Sequence, residues 1–198
     1  MRIGYSVEGS TDRALIKGLR QRWCPYAELV EGRFRGTTRQ SRRREIPKIC
    51  IELSNKGVDL MVFVSDSNDD NPVAWRAVQR REEELVPDEY RHLTVIGICQ
   101  RNVECWICVD ENWLGNQLGV APNIFRIKDP KNAFESALRI SCRDRKEPEI
   151  SQLVENAPIH HWMQNKSFED FFDKLWLMSK SLGCSIENLR DRKGKVQD

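Results

Sequence analysis

The run Val58-Asp59-Leu60-Met61-Val62-Phe63-Val64 is almost continuously apolar. A strand with no polar face belongs inside a parallel sheet covered by helices on both sides, because a strand wetted on one face would alternate. The flanking segments fit that setting. Ile3–Val7 reads as a first strand, followed by Ser10-Thr11-Asp12 as helix-opening residues and by Ala14, Leu15, Ile16, Leu19 and Trp23 at helical spacing. Residues 26–30 give a second strand, Ile46, Ile49, Cys50 and Leu53 mark a second helix ending near Gly57, and Leu93–Cys99 a further strand. A charged helix over residues 72–86, with Val73, Ala74, Val78 and Leu85 on its apolar side, separates the last two strands. This order predicts an α/β fold with a mostly parallel four-stranded sheet, helices on both faces and right-handed crossovers.

Beyond residue 100 the pattern turns helical. One helix is expected over residues 103–110, leading to Trp113 and Leu114, and others over 132–139, 149–155 and 168–177. The chain of 198 residues therefore divides into an α/β core, 1–114, and a helical C-terminal extension, 115–198, packing on it. Its aromatic residues Trp162, Phe168 and Trp176 suit either closure of the core or docking of a partner. No apolar run approaches the roughly 20 residues of a membrane span, and the first residues carry no secretory leader, so a cytoplasmic protein is expected.

Seven scattered cysteines fit reduced thiols better than a disulfide framework. Cys105-Trp106-Ile107-Cys108 has CxxC spacing, but neither a second pair nor a spaced His pair completes four ligands, so zinc is not expected. Trp106 and Trp113 read as packing residues, and His160-His161 as part of a loop after Pro158.

Two acidic clusters directly follow strand-like runs: Glu8 within Val7-Glu8-Gly9-Ser10-Thr11-Asp12, and Asp66 within Val64-Ser65-Asp66-Ser67-Asn68-Asp69-Asp70. In a parallel sheet both strands end at the same edge, so carboxylates far apart in sequence can converge on one divalent cation. The structural alternative makes Asp12 a first-turn helix acid and residues 66–70 the cap of the next helix. Charge is unevenly spread: residues 1–50 carry 12 Lys/Arg against 5 Asp/Glu, and residues 51–100 carry 5 against 10. Arg33, Arg35, Arg39, Arg42, Arg43 and Arg44 crowd one polar stretch beside Phe34, read as a loop that either binds phosphates or is simply solvated.

The order of these parts resembles the Toprim (topoisomerase-primase) fold, in particular small bacterial Toprim-like proteins related to the nuclease domain of OLD-family proteins. The resemblance is carried by Val7-Glu8-Gly9-x-x-Asp12, by Val64-Ser65-Asp66-Ser67-Asn68, and by Asn102-Val103-Glu104-Cys105-Trp106-x-x-x-Asp110, and it covers roughly residues 1–114. It implies a Mg²⁺- or Mn²⁺-dependent nuclease acting on DNA or RNA, with Glu8 and Asp66 catalytic and Glu8, Asp66, Asn68, Asp70 and Glu104 around the metal. It also implies an ATPase partner and a place in a bacterial defence or repair system. Asn68 stands where a second carboxylate is usual; its carbonyl can coordinate but brings no charge. That departure favours the alternative of a catalytically inactive module that binds nucleic acid or a partner protein.

Overall fold

The computed structural model describes residues 1–35, 38–69, 71–126, 129–141 and 147–184. Four strands, β1 (Arg2–Val7), β2 (Glu28–Glu31), β3 (Leu60–Asp66) and β4 (Thr94–Cys99), form one all-parallel sheet in the order β2-β1-β3-β4. Val7 pairs with Val64 and Asp66 with Cys99, so β1, β3 and β4 finish together at one edge. The chain leaves β1 toward β2 on one side and returns to β3 on the other. The crevice between the ends of β1 and β3 is thus a topological switch point, the usual place for a site in such sheets.

Alternate residues of the central strands build two cores. Met61, Phe63, Ile96 and Ile98 pack under helix α2 (Arg39–Asn55) and helix α3 (Ala74–Glu83), meeting Ile46, Ile49, Leu53, Trp75 and Val78. Ile3, Tyr5, Leu60, Val62, Val64 and Val95 face the other way, toward helix α1 (Ser10–Trp23) and the C-terminal helices. Those helices are α4 (Glu104–Ile107), α5 (Glu111–Leu118), α6 (Pro130–Ile140), α7 (Glu147–Asn156), α8 (Ile159–Trp162) and α9 (Lys166–Ser181). Helix α7 lies so close to α1 that a Cβ on Gly18 would meet the carbonyl oxygen of Ser151 at 2.5 Å. Helix α9 crosses β4, where a Cβ on Gly97 would meet the Phe171 ring at 2.5 Å. None of the described helices is long and apolar enough to cross a membrane.

Aromatic side chains fill the space between β4 and α9. Trp106 stacks on Phe171 at 5.2 Å and meets Phe168 edge-on at 5.3 Å, while Trp162 meets Phe168 edge-on at 5.4 Å. These four side chains are fully buried. The indole Nε1 of Trp106 donates to Ser167 Oγ at 2.7 Å, and the same oxygen accepts from the backbone N–H of Gln100. A small polar hub therefore pins the exit of β4 to the start of α9, leaving the ring cluster its hydrophobic and ring-packing gains.

Several elements differ from their sequence reading. The arginine stretch is not one loop: α2 begins at Arg39, because Thr38 and Ser41 cap it reciprocally and arginine is a good helix former. Pro47 sits inside that helix. In α3 the buried apolar residues are Trp75 and Val78, and Val73 is exposed. The segment 103–110 is not one helix continuing to Trp113: α4 stops at Ile107, and Asp110 opens α5 by accepting from Trp113 N–H at 2.9 Å. His160 and His161 form part of α8 instead of a loop, and His161 Nδ1 is bonded to Asp110. Two of the cysteines are not thiols, since Cys24 and Cys184 form a disulfide across 160 residues of chain. Cys50, Cys99, Cys105 and Cys108 are free thiols.

Candidate metal centre

Glu8 follows the last residue of β1, Asp66 ends β3, and Glu104 opens α4 just after β4. Asp12 joins them from the first turn of α1, where its Oδ2 accepts the backbone N–H of Gly9 at 2.7 Å. That bond holds the β1–α1 turn tight and directs the carboxyl inward. Asp12 and Glu104 are 4% and 2% exposed, depths at which a carboxylate needs compensation.

The four groups interact electrostatically. Burial, and then the charges of Glu104 and Glu8, push the Asp12 carboxyl up to about 7. Burial, then Asp12, Glu8 and Glu104, push Asp66 up to about 8, against the opposing effect of a hydrogen bond from the Val103 backbone N–H. Burial and then Asp66 also raise the neighbouring Cys99 thiol well above its ordinary value. Like charges gathered in a water-poor place favour protons, or a cation, at that place.

The surrounding backbone is unusual too. Asn68 and Arg101 both have left-handed backbone conformations, with φ of 51° and 69°, and lie side by side at the exits of β3 and β4. Asn68 N–H donates to the Arg101 carbonyl at 2.8 Å, and Arg101 N–H donates to Ser67 Oγ at 2.6 Å. These bonds prolong the β3–β4 contact beyond the strands. For a β-carbon-bearing residue such as Arg101 that conformation costs on the order of 1 kcal/mol, and such residues gather at functional sites.

A cationic helix covers one side of the crevice. Arg42 of α2 forms an ion pair with Glu8, both side chains being largely shielded at 19% and 16% exposure. Arg43, in the same turn, reaches Glu82 of α3 at 3.8 Å, and Glu82 accepts from Ser65 Oγ of β3 at 3.1 Å. Arg33 stands 80% exposed near Glu31, Arg35 is anchored through its backbone N–H to Glu45, and Arg44 is exposed. Phe34 packs at 6.3 Å on Phe63. A groove of about 530 Å³ runs from Glu8 past Arg13, Lys17, Arg33 and Phe34.

The structure therefore brings Glu8, Asp66 and Glu104 to one edge and adds Asp12, which the sequence reading had also treated as a helix acid. Only the E-G-x-x-D spacing signalled Asp12 in advance. Asn68 is exposed on the β3 exit loop. Asp70 and the side chain of Arg39 lie outside the described residues. Among the described residues, no three His, Cys, Asp or Glu side chains are placed so that they could hold a metal ion. Glu8 is engaged by Arg42, and mutual repulsion disfavours a tighter arrangement of the carboxylates.

The oxygens these acids carry are of the chemical type that hard divalent cations take. They are carboxylate oxygens, and the buried Oδ1 of Asp12 has no hydrogen-bond partner among the described residues. No protein-family model, curated protein or solved structure matches this chain.

Proposed function

We propose that this protein is a Mg²⁺- or Mn²⁺-dependent phosphodiesterase of the Toprim type that cleaves DNA or RNA. The observation that carries this reading is the gathering of Glu8, Asp12, Asp66 and Glu104 from three adjacent strand ends into one shielded, mutually repelling group. Four acids gathered at one edge offer a divalent cation several carboxylate oxygens at once.

In this scheme Asp66 and Glu104 are the principal ligands, and Asp12 supplies its buried oxygen. When bound, such an ion would supply Lewis acidity toward a phosphate oxygen and toward a water. Glu8, at the end of β1, completes the ligand set. Arg33, Arg35 and Arg44 bind backbone phosphates along the approach to the edge, which requires charge but no base-specific contact. Dependence on an ATPase partner and work in a bacterial defence or repair system belong to the same proposal and rest on the family resemblance.

The second reading is an inert nucleic-acid-binding module. It is favoured by Asn68 in place of an acid and by the unclosed ligand set. Plasmid, single-stranded DNA and RNA cleavage with Mg²⁺ or Mn²⁺, compared with Glu8→Ala, Asp66→Ala and EDTA controls, separates the two. Metal-dependent cleavage lost in both variants is the expected result. Retained nucleic-acid binding with no cleavage and no metal uptake selects the inert module.

A further inference from the structure

The pairing of Arg42 with Glu8 links a helix that otherwise covers the opposite core to the acidic site. We infer that Arg42 is the internal counter-ion of the carboxylate group, and that a divalent cation binds by exchange, drawing Glu8 away from the guanidinium. The inference rests on the metal-site reading above and adds to it a regulatory contact within the same site.

Three observations carry it. First, the Arg42–Glu8 pair is shielded on both partners, so its attraction is poorly screened by solvent and has to be given up before Glu8 turns to another cation. Second, Arg42 lies on a well-anchored element: α2 is capped at Thr38 and packs through Ile46, Ile49 and Leu53, so its backbone is fixed and the exchange is confined to side-chain rotation. Third, the adjacent Arg43 is engaged by Glu82, an acid outside the quartet, so one turn of helix contains one arginine facing the site and one held elsewhere. A guanidinium offers one positive charge and directional donors; a divalent ion offers two charges and can accept oxygens from several carboxylates at once. The ion therefore wins Glu8 when present, and the metal-free site keeps Glu8 neutralised when it is not. No covalent bond changes: Glu8 passes from one cation to the other.

The exchange is tested without relying on catalysis. Mn²⁺ affinity is measured by calorimetry for the wild-type protein, Arg42→Gln, Arg42→Lys and Asp66→Asn. In parallel, arginine modification by phenylglyoxal is mapped by mass spectrometry on the wild-type protein with and without Mn²⁺. Arg42→Gln is expected to bind Mn²⁺ on the order of fivefold to tenfold more tightly than wild type, with Arg42→Lys nearer to wild type, because removing a competing cation favours the exchange. In the wild-type protein Mn²⁺ is expected to raise modification of Arg42 about threefold while leaving Arg43 unchanged, and in Asp66→Asn to change neither arginine. The footprint uses unaltered protein, so it holds even if a substitution at Arg42 disturbs folding. Mn²⁺ binding that depends on Asp66 but leaves Arg42 equally protected, with Arg42→Gln no tighter than wild type, overturns the exchange and leaves the metal site standing. Absence of Mn²⁺ binding in every form overturns both.

Discussion

The carboxyl edge of the sheet and the aromatic core beside β4 are built from adjacent residues to opposite ends. Both meet in α4, a helix of only four residues, where Glu104 faces the acids and Trp106 enters the ring cluster. The aromatic side is apolar and fully buried, and its Trp106 indole N–H is bonded to Ser167 Oγ. The acidic side is buried but mutually repelling, with two carboxyls pushed toward their neutral forms. The difference indicates where stability comes from and where it is given up: dense packing on one side of α4 holds in place a cluster that would otherwise spread apart.

That contrast can be broken most forcefully from the aromatic side. Trp106→Ala should destabilise the fold by about 3–5 kcal/mol in denaturant titration, since it removes a fully buried indole and one of the two donors to Ser167 Oγ. A change below about 1 kcal/mol would show that the cluster does not support the edge.

From the acidic side the sign should reverse. Asp66→Asn keeps an acceptor for the Val103 N–H but removes one of the repelling charges, so the EDTA-treated variant should be more stable than wild type by about 1 kcal/mol at pH 8. The same variant should lose metal-dependent cleavage. Loss of stability on this substitution would mean that Asp66 is a structural carboxylate.

The pH profile sharpens the same comparison. Asp12 and Asp66 have folded-state values raised above 3.8, so between about pH 4 and pH 8 the folded protein holds protons that the unfolded chain has released. Their stabilising contribution is full below about pH 4 and disappears as pH rises to about 8. Thermal midpoints in EDTA should accordingly fall across that window in wild type and fall less in Asp66→Asn. Equal slopes in both proteins would locate the titration elsewhere.

The smallest expected effect concerns the approach to the edge. Arg33→Gln and Arg44→Gln should each weaken nucleic-acid binding modestly and lower the salt slope of log K by about 1, with no change in folding stability. An unchanged slope would remove these two side chains from the phosphate path.

Much of the frame was legible because it depends on local pattern. The apolar run ending in Asp66 specifies a buried parallel strand, and parallel strands necessarily bring Glu8 and Asp66 to one edge. Helices α6, α7 and α9 follow from apolar periodicity near their expected positions. What escaped depends on partners distant in sequence. The start of α2 was hidden because arginine runs look solvated until a Thr38 cap is recognised, and Arg42's attachment to Glu8 is a tertiary event with no local signature. The break between α4 and α5 turns on one Asp110 cap inside an apolar stretch. Asp12 satisfies a helix start as any first-turn acid would, and only the fold reveals how deeply it is buried.

The Cys24–Cys184 bridge also changes how the molecule would bear a mechanical load. If the chain is pulled from its two ends, the bridge diverts force around the 160-residue span between the cysteines, so β2, β3, β4 and the aromatic core bear no tension, while β1, Glu8 and Asp12, which precede Cys24, remain in the force path. Reducing the bond would return that span to the force path and release a contour of about 530–580 Å at roughly 3.3–3.6 Å per residue. In an optical-tweezers trace the extension at rupture would therefore report the oxidation state of this one pair.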